Sequence, residues 1–217
     1  MFVGHYGVSF ATKRVDDSIP LWILFLAVQW LDVIWAPLVL IGIEKVRIVS
    51  GFTATNPLDL YYMPYTHSLI AASLWSVAAA CLYHVVRRPK VTASVFVGLA
   101  VFSHWVLDFI VHVPDLPLYD NAAKVGLGLW NQPILAFSLE AALLLVAMTI
   151  YLQARQSPRR RGIIGFGLVM LAIQAYVFFG PPPVSAAAAA VTALSAYAIF
   201  ALVIWFLADR HFIPQAA

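Results

Sequence analysis

The stretch Ser103-His104-Trp105-Val106-Leu107-Asp108-Phe109-Ile110-Val111-His112 decides how this chain is read. His104, Asp108 and His112 stand at i, i+4 and i+8 in an otherwise apolar run. On an α-helix they share one face, about 6 Å apart per step. The stripe is therefore polar, while the rod that carries it is apolar. Ionisable side chains at membrane depth are costly, so each one is a pointer to function with partners elsewhere in the chain. The candidates are His5, Asp32, His67 and Glu140.

The rest of the composition says what kind of rod this is. The chain has 217 residues, of which 63% are hydrophobic and only 11% charged, with a mean hydropathy of +0.88. These values exclude an ordinary soluble domain and define a polytopic, all-α membrane protein. Connections between apolar segments are short, so residues 1–217 are expected to form one transmembrane helical domain. The formal net charge is +3. Its basic residues sit at the ends of apolar segments, where topology explains them, and no nucleic-acid partner is expected. Cys81 is the sole cysteine, which excludes an intrachain disulfide and a thiolate metal motif. The start, Met-Phe-Val-Gly-His-Tyr-Gly, lacks a basic n-region and does not read as a cleavable signal peptide.

Outward from the stripe, the hydropathy pattern predicts six full transmembrane helices and a short N-terminal half-helix. Residues 2–12 cover about 16 Å as a helix, roughly half of the hydrocarbon thickness. Full spans are expected at 20–43, with Asp32 near the middle, and at 64–86, with His67 near the start. Three more are expected at 91–112, 130–153, which contains Glu140, and 162–180, which ends at Pro181-Pro182-Pro183. The sixth covers 184–208, where Ala186 to Ala190 reads as close helix packing. Residues 44–63 are expected to be a polar, aromatic loop, and 113–129 a loop with a short interfacial helix.

Six spans place Lys13, Arg14, Arg87, Arg88, Lys90, Arg155, Arg159, Arg160, Arg161 and Arg210 on one side. Only Lys45, Arg47 and Lys124 fall on the other. The asymmetry makes the first side cytoplasmic, with the C-terminus on it. Trp22, Trp130 and Trp205 fall near span ends, as in an aromatic belt. The His67, His112 and Glu140 levels then lie in the outer half of the bilayer, with Asp32 near the midplane. His5, eight residues from Lys13, is about 12 Å deep and reaches the same level from below.

His104 and Asp108, one helical turn apart, match a two-ligand arrangement for a divalent ion. His67 and His5 add imidazoles, and Asp32 adds a carboxylate. Three His and two Asp suit Zn²⁺, and Mn²⁺ or Fe²⁺ share the same ligand types. His112 extends the stripe at the membrane edge, as an outer ligand or an interfacial residue. Glu140 and Asp32 are the candidate catalytic carboxylates, and Glu140 reads as well as an outer partner of a ligating His or as a pair with a neighbouring helix. Asp59 and Asp115 read as loop carboxylates, and His84 and His211 lie away from the level of the stripe.

Several of these residues also carry a resemblance. Gly4-His5, Leu31-Asp32, Tyr65-Thr66-His67-Ser68-Leu69 and Ser103-His104-x-x-x-Asp108 occur in this order over residues 1–115. This arrangement resembles the YdjM/DUF457 family of inner-membrane proteins, usually described as membrane-bound metal-dependent hydrolases. The resemblance implies that His5, Asp32, His67, His104 and Asp108 are metal ligands or their immediate neighbours. It also implies a bacterial-type inner membrane. The chain departs from the family pattern at Asp32-Val33-Ile34, where the family often has Asp-x-Asp, and at Tyr62-Met63-Pro64, where it often has His-Arg-Gly. One carboxylate and one imidazole are thus missing, which argues against a two-metal site.

The leading expectation is a membrane-embedded, metal-dependent hydrolase acting on a lipid-like ester or phosphoester. In this reading residues 1–115 carry the metal motif and the helices of 130–208 buttress it. Two other readings share the same residues. One is a non-catalytic metal-binding, permease-like or transport protein, and the other a structural subunit associated with other membrane subunits.

Overall fold

The computed structural model describes residues 1–154 and 159–210. Arg155 of the basic turn and His211 of the tail lie outside the described residues. The elements are α1 (His5–Val15), α2 (Leu21–Ala27), α3 (Trp30–Leu40), β1 (Lys45–Ile48), β2 (Leu58–Tyr62), α4 (Leu69–Arg87) and α5 (Val91–Val111). After a 3₁₀ turn at Leu129–Asn131 follow α6 (Pro133–Ala154), α7 (Arg160–Phe179) and α8 (Ala186–Ile204). A π-helical turn, Trp205–Asp209, extends α8. The fold is an all-α helical bundle. Helices α4, α5, α6, α7 and α8 with its extension are each long and apolar enough to cross a membrane.

The span expected at 20–43 is instead two helices, α2 and α3, bent by 50° at Val28 and Gln29. A broken helix is tolerated at membrane depth only where other groups satisfy the freed backbone. Here His104 Nδ1 lies 2.7 Å from the Val28 carbonyl oxygen, while the Gln29 side chain ties the break to the start of the chain by donating to the Phe2 carbonyl at 3.1 Å. The break therefore faces the polar stripe.

Two expected loops carry more order than their composition suggested. Residues 44–63 contain an antiparallel hairpin that pairs Lys45 with Tyr62 and Ile48 with Leu58. Period-two alternation turns Val46 and Leu60 inward, onto Trp35, Met63 and Leu116. Across the hairpin Arg47 pairs with Asp59. Residues 113–128 are pinned by bridges between Leu116 and Val125 and between Tyr119 and Ala122, with no interfacial helix. Trp130, expected in an aromatic belt, is instead buried, with its ring centroid 4.1 Å from that of His112.

Helix α1 runs through the interior, packed on α6, α5 and α2. A Cβ at Gly7 would stand 2.5 Å from the Leu143 carbonyl oxygen, so glycine is what lets α1 approach the α6 backbone. Gly98 does the same for α5 on α4, against Ser76 O at 2.9 Å. Lys13, expected in a charged loop, is buried and donates to the Asp17 and Ile19 carbonyls at 2.6 and 2.7 Å. These bonds close the turn into α2. The first amides of α2, Leu21 and Trp22, donate to Asp209 at the far end of the chain, at 3.1 and 2.9 Å. Helix N-termini leave amides without intrahelical partners, and Asp209 serves as their cap from another helix.

Candidate metal centre

Four segments bring side chains to one point. His5 opens α1, Asp32 lies in the first turn of α3, His104 and Asp108 lie in the last two turns of α5, and His112 caps α5. His67 sits in the turn before α4. That turn is built by Ser68, whose hydroxyl donates to Pro64 O and accepts from Ala71 N, capping α4. Trp105 Nε1 donates to the His67 carbonyl at 2.9 Å, tying the turn to α5. One face of α5 therefore supplies two ligand candidates and also fixes the backbone of a third.

The nitrogen and oxygen atoms converge. His67 Nε2 lies 3.3 Å from Asp32 Oδ1 and 3.9 Å from Asp108 Oδ2. His104 Nε2 lies 3.8 Å from Asp32 Oδ1 and 3.2 Å from Asp108 Oδ2. Two ligands about 2.0–2.2 Å from a shared ion at the tetrahedral angle are about 3.3–3.6 Å apart. The observed separations bracket that spacing. His112 Nε2 adds a further imidazole 3.6 Å from Asp108 Oδ2. Two overlapping triads, His5–His104–Asp108 and Asp32–His67–His104, each place their ligand atoms within 4.8 Å of one another.

The hydrogen bonds around the point set which atoms face it. A carbonyl only accepts, so His104 donates Nδ1–H to Val28 O, which leaves Nε2 to face the cluster. That Nε2 is buried and has no hydrogen-bond partner among the described residues. His112 Nδ1 lies 2.8 Å from Asp115 Oδ1, which turns its Nε2 toward Asp108. Each aspartate is divided in the same way. Asp32 Oδ2 accepts from Tyr197 Oη at 2.6 Å, leaving Oδ1 to the imidazoles. Asp108 Oδ1 lies 3.2 Å from His5 Nε2 and 2.5 Å from the Met1 nitrogen, leaving Oδ2. The His5 and His104 rings stack with centroids 4.0 Å apart and planes at 6°.

Imidazole nitrogens and carboxylate oxygens gathered at these separations are the donor set of a divalent-ion site once the imidazoles are neutral. The residues therefore fit a divalent ion, and the outer hydrogen bonds to Nδ1 are those that metal-bound histidines make. Burial is uneven. The side chains of His5, His67, His104, Asp108 and His112 are at most 4% exposed, whereas that of Asp32 is 18% exposed. The open edge of the cluster is thus at Asp32.

No protein-family model, curated protein or solved structure matches this chain.

Glu140 belongs to neither triad. Its Oε2 accepts from the Phe2 and Gly4 amides at 2.8 and 3.1 Å, so it holds the chain that leads into α1 and His5. Its Oε1 has no hydrogen-bond partner among the described residues. His84 is away from the cluster, 3.2 Å from the Ser94 hydroxyl. Asp115, read as a loop carboxylate, is buried and orients His112; its i+3 spacing from that histidine was the available signal. Tyr197 and Glu44 were not singled out as site residues. Tyr197 sits in an apolar helix with no motif, and Glu44 in a segment read as loop. Glu44 is 1% exposed. Its Oε1 accepts from the Tyr65 and Thr66 amides, and its Oε2 from the Thr66 hydroxyl. Burial pushes the Glu44 carboxyl above its ordinary range, against the opposing pull of His67 and these donors.

On the Lys13 side of the cluster the interior is aromatic. Tyr6 and Phe10 of α1 pack on Phe25 of α2 with centroids 4.6 and 5.5 Å apart, and Phe166 of α7 lies 6.3 Å from Phe25. The cluster itself lies at the opposite end, where α5 finishes and α4 begins.

Proposed function

We propose that this chain is a membrane-embedded, metal-dependent hydrolase of the kind its resemblance to the YdjM/DUF457 family implies. One observation carries the reading: imidazole Nε2 atoms of His67 and His104 face carboxylate oxygens of Asp32 and Asp108 at 3.2–3.9 Å in a buried space. A divalent cation, Zn²⁺ by ligand type with Mn²⁺ and Fe²⁺ as competitors, supplies Lewis-acid chemistry there by acidifying water and polarising an ester or phosphoester oxygen.

The protein's own groups do the rest. His67, His104, Asp108 and Asp32 hold the ion, His112 flanks it, and His5 braces Asp108. Asp32 is the cluster carboxylate with an open edge, and it is the group positioned to take a proton from attacking water. Glu140 keeps α1 in register so that His5 reaches Asp108. A lipid-like substrate suits a site flanked by membrane-length helices. The basic-residue asymmetry supports a site opening toward the outer leaflet of a bacterial-type plasma membrane, with the C-terminus cytoplasmic. The aromatic packing of Tyr6, Phe10 and Phe25 argues against a polar transport pathway continuing to the Lys13 side.

The first test is elemental analysis of the detergent-purified full chain, wild type beside His104→Ala and Asp108→Ala, with folding checked by size exclusion. Near-stoichiometric metal lost in both variants is expected. Hydrolysis of lipid ester and phosphoester substrates, abolished by chelation and restored by metal, then follows. Wild-type protein that takes up neither Zn²⁺, Mn²⁺ nor Fe²⁺ would rule the proposal out. A metal-loaded protein inert toward both substrate types would shift the reading to a non-catalytic metal protein.

A further inference from the structure

Glu44 lies 23 residues before His67 in the chain and belongs to the hairpin base rather than to the cluster. Its buried carboxylate nonetheless ends a short chain of hydrogen bonds that reaches the metal point. Glu44 Oε2 is 2.6 Å from Thr66 Oγ1, and Thr66 Oγ1 is 2.7 Å from His67 Nδ1. Beyond the ring, His67 Nε2 faces Asp32 Oδ1 at 3.3 Å. We propose that Glu44 is a positioning residue that acts through the Thr66 hydroxyl to hold the His67 proton on Nδ1 and aim its Nε2 lone pair at the two aspartates.

The polarity of the relay follows from proton counting. A hydroxyl has one proton to give, and a carboxylate can only accept. Thr66 therefore gives its proton to Glu44 and must accept from His67, which places the ring proton on Nδ1. The same carboxylate accepts the Tyr65 and Thr66 amides at 2.8 and 3.0 Å, so it also fixes the backbone from which His67 projects. His104 obtains the same tautomer from the Val28 carbonyl, and His112 is oriented in the same sense by Asp115. Each of the three imidazoles thus has an acceptor or relay behind it, supplied by a different segment. Outer hydrogen bonds of this kind set ring orientation and raise ligand basicity. The tautomer assignment stands on hydrogen bonding alone, while its consequence for metal affinity rests on the hydrolase reading above.

Substitution can reverse the relay without removing it. In Glu44→Gln the amide oxygen retains the two backbone amides, and the NH₂ faces Thr66 as a donor. Thr66 must then donate to His67 Nδ1, moving the ring proton to Nε2. Thr66→Val removes the relay at nearly constant volume, and Thr66→Ser keeps it.

The experiment is histidine side-chain ¹⁵N NMR on the full chain in detergent, stripped of metal with a chelator, with His67 assigned by its loss in His67→Ala. Wild type and Thr66→Ser are expected to show His67 protonated on Nδ1, and Glu44→Gln to show it on Nε2. Zn²⁺ titration of the same samples should show Glu44→Gln and Thr66→Val binding about 10- to 100-fold more weakly, with Thr66→Ser close to wild type. A wild-type His67 protonated on Nε2, or a tautomer unmoved by Glu44→Gln, would overturn the inference. If the tautomers behave as expected but wild type takes up no Zn²⁺, the relay stands and the metal-dependent function falls.

Discussion

His104 donates its Nδ1 proton to the carbonyl of Val28, 2.7 Å away, across the break between α2 and α3. One bond does two things: it satisfies a backbone acceptor where a membrane helix is interrupted, and it points Nε2 at Asp108. Removing the imidazole should therefore destabilise the fold even in metal-free protein. We expect His104→Ala to cost about 1–3 kcal/mol by the penalty for an unpaired buried acceptor. Denaturant unfolding in detergent with chelator present measures it. A metal-free stability equal to wild type would show that the break does not depend on His104.

Tyr197 tests whether the last long helix serves the site. Its hydroxyl holds Asp32 Oδ2 at 2.6 Å and so commits Oδ1 to the imidazoles. Tyr197→Phe retains the ring and its packing near Phe2, whose centroid is 6.1 Å away. Metal affinity should fall at least about tenfold, as for other outer-shell partners. Competition with a chromophoric chelator reads this directly, and unchanged affinity would return α8 to a purely packing role.

The close approach of α1 to α6 predicts a sharp contrast among glycines. In Gly7→Ala the new methyl meets the Leu143 carbonyl, which is backbone and cannot swing aside. Displacing α1 should cost about 1–3 kcal/mol as overpacking and reduce metal uptake, because α1 carries His5. Gly165→Ala meets nothing within 4 Å on α7 and should be neutral or slightly stabilising through helix propensity. Thermal unfolding of the pair beside wild type decides it, and equal effects would contradict the packing described.

Asp209 caps α2 from the end of the chain. Asp209→Ala should lower stability by about 0.5–2 kcal/mol, and Asp209→Asn by less because its side-chain oxygen still accepts. The cap is remote from the ligands, so metal stoichiometry should be unchanged in both. A loss of metal in Asp209→Asn would mean that the α2 terminus is coupled to the site at Asp32.

Much of the architecture was legible in residue order because membrane helices obey a one-dimensional constraint. A backbone in hydrocarbon must satisfy itself locally, so runs of about 20 apolar residues become helices wherever they occur. The spans of α4 to α8 followed from that, as did the shared face of His104, Asp108 and His112, since 3.6-residue periodicity fixes it. Val28 and Gln29 carry no proline or glycine to mark a break, and the groups that meet it, His104 on the Val28 carbonyl and Phe2 under the Gln29 side chain, are distant in the chain. Hairpin 45–62 was hidden in a polar segment because its register depends on where Val46 and Leu60 find apolar cover.

The sequence by itself determined the class of the protein, its helices and a set of side chains too costly to bury without reason. Only the tertiary structure decided that residues from four segments meet, that one oxygen of each aspartate is held back by Tyr197 or His5, and that Glu44 stands behind His67 through Thr66. The physical reason is that spacing along one helix constrains residues within a few turns, whereas convergence between helices depends on packing at contacts such as Gly7 on Leu143.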